Sequence, residues 1–191
     1  MQKENLSASE ALKKLQDGNS QYLTAMTNPG DISPEIRKDT CENGQAPYAV
    51  VVTCSDSRVI PESIFCAGIG ELFVIRVAGN VIDNHQLGSI EYATAHLGTR
   101  LVVVLGHEHC GAVGAAIHDE PDGYIKTITD EIRKAIGEEK DELRASCLNV
   151  KRSVSVVKER LGVTDSDEGI KVCGAMYHLS LIHISEPTRH S

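Results

Sequence analysis

An α/β fold, with a central, mainly parallel β-sheet flanked by helices, is predicted from three features of the chain. Two short runs of β-branched and apolar residues, at 48–52 (Tyr-Ala-Val-Val-Val) and 101–105 (Leu-Val-Val-Val-Leu), have the length and composition of strands buried on both faces. Helix-like and strand-like segments alternate beyond them, which is the pattern of parallel strands joined by crossovers. Each run leads into a stretch dense in reactive side chains: Thr53-Cys54-Ser55-Asp56-Ser57-Arg58 after the first, Gly106-His107-Glu108-His109-Cys110-Gly111 after the second. Both stretches then fall just past the carboxyl ends of parallel strands, where open α/β sheets place their ligands.

Taken in order, residues 7–23 predict a helix, because Ser7 and Glu10 fit a capping box and Leu12, Leu15 and Tyr22 recur at helical spacing. Asn28-Pro29-Gly30-Asp31 breaks it, and Ser33-Pro34-Glu35 opens a short second helix. The first core strand ends near Thr53, and residues 61–65 form a short return helix. Gly68 and Gly70 mark the turn into a second strand at 72–77, which Ala78-Gly79-Asn80 ends. A crossover helix at 85–97, closed by Gly98, precedes the third strand at 101–105; a small-residue helix follows at 111–117. Residues 122–161 are helical and amphipathic, with Ile125, Ile128, Ile132 and Ile136, then Val150, Val154, Val157 and Leu161, as the core-facing stripe. An acidic turn at 165–169 leads to a fourth strand at 170–179. Residues 181–191 do not share this pattern and resemble adapter read-through. The expected organisation is a single domain over 1–180 with a non-native tail at 181–191, and His183 and His190 receive no role.

The chain's 191 residues suffice for one domain with a core that needs no covalent staples. Acidic residues outnumber basic ones 27 to 19, for a net charge of -8, and no Lys/Arg stripe forms, which argues against nucleic acid as a partner. No stretch has the length of a membrane span, and residues 1–5 lack the apolar run of a signal peptide, so the expected location is cytoplasmic. Six cysteines in such a protein are expected to be free or metal-bound rather than paired. Cys41, Cys66, Cys147 and Cys173 lack ligand spacing and read as small apolar side chains.

Cys54, His107 and Cys110 supply two thiolates and an imidazole, the donor types that Zn²⁺ prefers. His107 and Cys110 are close enough in sequence to bind one ion, and Cys110 starts a helix whose dipole favours its thiolate. Cys54 arrives from another strand, so the fold, not a local finger, assembles the set. Three protein ligands leave tetrahedral zinc one open position, where a water acquires a pKa of about 7; a permanent fourth ligand such as Asp56 would instead close the site. Asp56 and Arg58, two apart, point the same way in an extended segment. A carboxylate held by a guanidinium keeps a low pKa and can accept a hydrogen bond from a metal-bound water.

The pair Cys54-Ser-Asp56-Ser-Arg58 and Gly106-His107-Glu-His-Cys110-Gly111-Ala112 resembles the β-class carbonic anhydrases. Supporting similarity lies in Glu71-Leu-Phe-Val-Ile-Arg76-Val-Ala-Gly79-Asn80 and Gly88-Ser-Ile-Glu-Tyr92. The resemblance spans residues 7–180. It implies a zinc lyase that reversibly hydrates CO₂ to bicarbonate and a proton through zinc-bound hydroxide. The implied site has one Zn²⁺ per subunit on Cys54, His107 and Cys110, with Asp56 and Arg58 as catalytic dyad. It also implies a homodimer or higher multiple whose leading helices extend over the partner subunit. In some members Asp56's counterpart replaces water on zinc at lower pH. The chain has no Trp, so the regulatory bicarbonate pocket that some members build with one is not expected. His109 reads as an exposed loop histidine rather than a proton shuttle. Two alternatives remain: the same fold acting on a CO₂-like molecule such as carbon disulfide, or a zinc-stabilised scaffold without turnover. The retained Asp56–Arg58 pair argues against the scaffold, and the lack of a C-x-x-C pair argues against a thiol redox protein.

Overall fold

A computed structural model of the chain describes residues 6–163 and 169–179, together with the backbone of 183–185. Helices α1 (Ala8–Tyr22) and α2 (Pro34–Asn43) precede β1 (Ala49–Thr53). There follow α3 (Pro61–Ile64), β2 (Leu72–Arg76), a 3₁₀ turn (Ala78–Asn80), α4 (Asn84–Glu91), β3 (Leu101–His107), α5 (Gly111–His118), α6 (Gly123–Ile136), α7 (Glu142–Leu161), β4 (Lys171–His178) and β5 (His183–Ser185). The sheet order is β2-β1-β3-β4-β5. The first four strands run parallel, with Val51 level with Val74 and Val103, and Val103 level with Cys173.

The parallel sheet follows from the strand sequences. All five residues of β1 and all seven of β3 are buried, as strands covered on both faces require. Their side chains alternate: Val51, Leu101, Val103 and Leu105 enter one cluster with Ala11 and Leu15 of α1. Val50, Val52, Val102 and Val104 enter the other with Ile90 of α4 and Val150 and Val157 of α7. A third cluster of Val113, Ile132, Ile136 and Ala145 caps the carboxyl ends of β1 and β3 and includes Cys54 and Cys110. Helix α7 approaches β3 closely at Gly106, where an added Cβ would stand 2.4 Å from Val150 Cγ2 and 2.9 Å from Met176 Sδ. Gly106→Ala is therefore expected to cost about 1–3 kcal/mol through overpacking, measurable as a lower denaturation midpoint at unchanged denaturant slope.

Several local expectations are revised. Helix α4 begins at Asn84, one residue before the expected start, because Asp83 caps it: its carboxylate accepts from His85 N at 2.8 Å, and Gln86 completes a capping box. That helix ends in a π-turn over Tyr92–His96. The long amphipathic stretch is two helices, because Gly137 takes φ 55° after α6 and Asp141 caps α7 by accepting from Arg144 N. Ile125 leaves the predicted apolar stripe and is exposed, whereas Ile132 and Ile136 are buried. Tail residues His183–Ser185, set aside on sequence, add a short antiparallel strand to β4. Residues 165–168 of the acidic turn, and His190, lie outside the described residues.

The leading helices divide. The resemblance implied that they extend over a partner subunit; within its own chain, α1 lies on the sheet through Ala11 and Leu15, and the Tyr22 and Tyr177 hydroxyls meet at 3.1 Å. Its capping box is present, with Ser7 N donating to Glu10 Oε2 at 2.9 Å. Helix α2 buries none of its residues. Among the described residues, no helix is long and apolar enough to cross a membrane.

Candidate metal centre

Strand β1 ends at Thr53, whose hydroxyl donates to Leu105 O at 2.8 Å and ties the ends of β1 and β3 together. Cys54 is the next residue, His107 closes β3, and Cys110 is the N-cap of α5. These three residues converge as a potential metal-ligand group, their ligand atoms all within 4.8 Å of one another. All are buried, at 5 %, 1 % and 4 % exposure respectively.

The donor set fits a tetrahedral zinc ion. Two sulfurs on one zinc, with bonds of about 2.3 Å at a tetrahedral angle, stand about 3.8 Å apart; Cys54 Sγ and Cys110 Sγ are 3.9 Å apart. His107 Nδ1 faces Glu108 O at 2.9 Å, which selects the tautomer that leaves Nε2 a lone pair. That Nε2 is fully buried with no hydrogen-bond partner among the described residues. A buried ring nitrogen without a partner is costly unless something binds it.

The electrostatics prepare the sulfurs unequally. A hydrogen bond from Cys110 is the largest influence on Cys54, lowering its thiol to about 4 against the opposing effect of burial; the N–H groups of Gly79 and Asp56 lower it further. The same pairing, together with burial, pushes Cys110 well up, against the N–H groups of Val113 and Ala112 at the start of α5. A divalent ion binds sulfur as thiolate, so metal binding at this pair releases the protons that the thiols carry.

Asp56 and Arg58 form a two-pronged pair beside the cluster. Asp56 Oδ1 accepts from Arg58 N and Nε, both at 2.9 Å, and Oδ2 accepts from Nη2 at 2.7 Å. The Arg58 hydrogen bonds hold the Asp56 carboxyl far below the usual carboxylate range, despite partial burial. Oδ2 also lies 4.0 Å from His107 Nε2, so the carboxylate borders the space that the three ligands face. Arg58 Nη2 reaches His109 O at 3.1 Å, joining the two motifs. The His109 ring is exposed, 3.7 Å from Glu142 Oε2, and the residue adopts φ 53°. Its carbonyl, rather than its imidazole, serves the site.

Sequence reasoning left two contributors without a role. Arg76, the last residue of β2, donates from Nε to Cys54 O at 3.2 Å and from Nη2 to Asp56 O at 2.6 Å, so it braces the backbone between ligand and carboxylate. A cation ending the otherwise apolar run Leu-Phe-Val-Ile was the available signal. Gly79, at φ 66°, donates its N–H to Cys54 Sγ at 3.3 Å. A Cβ there would stand 2.7 Å from Ile132 Cδ1, so conformation and space both require glycine.

A family profile described as carbonic anhydrase matches residues 49–181. The carbonic anhydrase of Mycolicibacterium smegmatis is 38% identical over 188 residues, covering 89% of this chain and 88% of that protein. Among solved structures, the β-carbonic anhydrase CafA of Aspergillus fumigatus superposes with a TM-score of 0.71 at 25% identity, over 93% of this chain and 89% of its own. One of two tetrameric β-carbonic anhydrases from Sordaria macrospora gives 0.69 at 25% identity, over 93% and 94%.

Proposed function

The chain belongs to the β-carbonic anhydrase family and catalyses the reversible hydration of CO₂ to bicarbonate and a proton; we propose that it does so with one Zn²⁺ per subunit, held by Cys54, His107 and Cys110, and with Asp56 and Arg58 as its catalytic pair. The observation that carries the zinc assignment is the convergence of two sulfurs and the unpartnered His107 Nε2 in one buried cluster. When bound there, zinc supplies the Lewis acidity that makes a water molecule nucleophilic near neutral pH.

The chain's own groups do the rest. Arg58 takes both lone-pair directions of Asp56 Oδ1, through its backbone N–H and Nε, and one of Oδ2 through Nη2. Oδ2 keeps a second lone pair for the reacting water, whose hydrogen it accepts. That contact turns the water's own lone pair towards the carbon of CO₂ and holds it there, an orientation effect rather than a proton transfer. Because Arg58 keeps Asp56 ionised, this acceptor persists across the working pH range. Arg76, through Cys54 O and Asp56 O, keeps ligand and carboxylate in register. Hydration consumes one water and one CO₂ and releases one proton, which must reach solvent after each turnover.

The pH consequence has a definite sign. The folded pKa of Asp56 is depressed, so the pairing stabilises the fold above the ordinary carboxylate value of about 3.9 and that contribution is lost only as pH falls through the lower folded value. Carboxyl ¹³C NMR is expected to show Asp56 ionised throughout pH 5–9, with an inflection below those of exposed aspartates. An inflection near neutrality would contradict the pairing and favour a carboxylate that exchanges onto the metal.

Assembly and location belong to the same proposal: a homodimer or higher multiple, in the cytoplasm, with the leading segment reaching a second subunit. The support for assembly is that α2 buries no residue within its own chain, with Met26 and Ile32 exposed nearby, and that the similar enzymes of Sordaria macrospora are tetrameric. Residues 1–180 form the proposed domain and 181–191 the proposed foreign tail; the family match ending at 181 supports that division. The activity is tested by stopped-flow CO₂ hydration on protein of known zinc content. Turnover tracking zinc is the expected result, and zinc-loaded protein without turnover would leave the scaffold reading.

A further inference from the structure

Helix α7 carries a polar seam through an otherwise apolar core. Ser146, Asn149 and Ser153, spaced three and four apart, share one face and are exposed by only 3 %, 2 % and 3 %. That face meets the turn after β2 rather than solvent. Asn149 Nδ2 donates to Gly79 O at 2.7 Å, and Ser153 Oγ donates to Asn80 O at 3.0 Å. On its other side the same turn donates Gly79 N–H to Cys54 Sγ at 3.3 Å. Neither an apolar packing role nor the Asp56–Arg58 chemistry uses these contacts, and burying an amide costs free energy unless its bonds are made.

We propose that Asn149 is a positioning residue of the metal centre, seating the Gly79 turn so that its N–H stays directed at Cys54 Sγ. The argument is geometric. Gly79 sits at φ 66°, ψ 16°, a conformation that glycine enters and leaves at little steric cost, so the turn does not hold itself. Its backbone bonds include Asn80 N to Val77 O at 2.9 Å, with Val77 N tied to Thr53 O at 3.1 Å, and neither engages the Gly79 carbonyl. Ile132 Cδ1 and Ala112 Cβ limit how close Gly79 can come to α5 and α6, but apolar contacts are not directional. Asn149 supplies the directional restraint on the Gly79 carbonyl itself, beside the Ser153 bond to Asn80 O, from a helix whose neighbouring Val150 is buried against the sheet. An N–H donor on a ligating sulfur fixes the sulfur's orientation and draws charge from it, which are the ways outer partners tune a metal. The chain of contacts therefore runs from α7 through one peptide turn to a single zinc ligand.

This inference rests on Cys54 being a zinc ligand, and its test separates the two ideas. Zinc affinity of the full chain is measured by competition with a chromophoric chelator, and Co²⁺-loaded protein is read for the energy of its thiolate-to-metal absorption band. Asn149→Ala is expected to weaken zinc binding about tenfold or more and to shift the band. Val157→Ala, which opens a cavity on the same helix without touching the turn, lowers thermal stability but leaves affinity and band in place. If Asn149→Ala does not fold, Asn149→Ser removes the same reach while its hydroxyl bonds back to its own helix, and the same outcome is expected. Wild-type affinity and band in the Asn149 variants, or equal changes in Val157→Ala, would overturn the proposal. Failure of the wild type itself to bind zinc would remove the zinc assignment along with it.

Discussion

Cys110→Ser is expected to lose bound metal and CO₂ hydration together. Zinc content should fall from about one per chain to near zero, and kcat/KM by about 10³-fold or more, because a serine hydroxyl does not ionise to a soft ligand near neutrality. Its position explains the size of the effect. Cys110 is buried at the N-cap of α5, 3.9 Å from Cys54 Sγ, and no other thiol joins the ligand group that could take its place. The fold should survive, since Val113, Ile132 and Ile136 continue to pack around the vacated sulfur. Circular dichroism and metal analysis on the same sample separate loss of the ion from loss of the fold. Retained zinc with near-normal turnover would mean that the ligand set is different.

The second large effect is expected at Asp56, with the opposite metal result. Asp56→Asn removes the charge that accepts from Arg58 and from the reacting water but touches no ligand. Zinc content should stay near wild type while kcat falls about 10²–10³-fold, equivalent to about 2.7–4 kcal/mol. Arg58→Ala should act in the same direction, since it removes both guanidinium contacts to the carboxylate and leaves only the backbone N–H bond to Oδ1. The double variant should lose little more than either single one, as expected for groups that act as a unit. Additive losses would show that Asp56 and Arg58 contribute separately.

The parallel sheet and the candidate ligand set were legible in the sequence for one physical reason. Strands buried on both faces must be apolar at consecutive positions, so residues 48–52 and 101–105 stand out without any periodic signal, and the side chains that follow them fall at the sheet's carboxyl edge. Cys54, His107 and Cys110 then stood out as a candidate ligand set by their donor chemistry and their place at that edge, and their ligand atoms do lie within 4.8 Å of one another. Less legible were contacts that depend on where two distant segments meet. Arg76 looks like an ordinary strand terminus until β2 is registered beside β1 with Arg76 level with Thr53. Asn149 looks like one more polar residue on an amphipathic helix until α7 is laid against the Gly79 turn. The break at Gly137 and the exposure of Ile125 were hidden by an apolar period that continued across the turn. Helix α1 was ambiguous because an apolar stripe states that a face is covered, not by which chain.

Zinc K-edge X-ray absorption on the purified, metal-loaded chain addresses the central assignment most directly. Two sulfur scatterers at about 2.3 Å and a light-atom shell at about 2.0–2.1 Å containing one imidazole are the predicted first sphere. A four-sulfur sphere, or one made of nitrogen and oxygen alone, would contradict it.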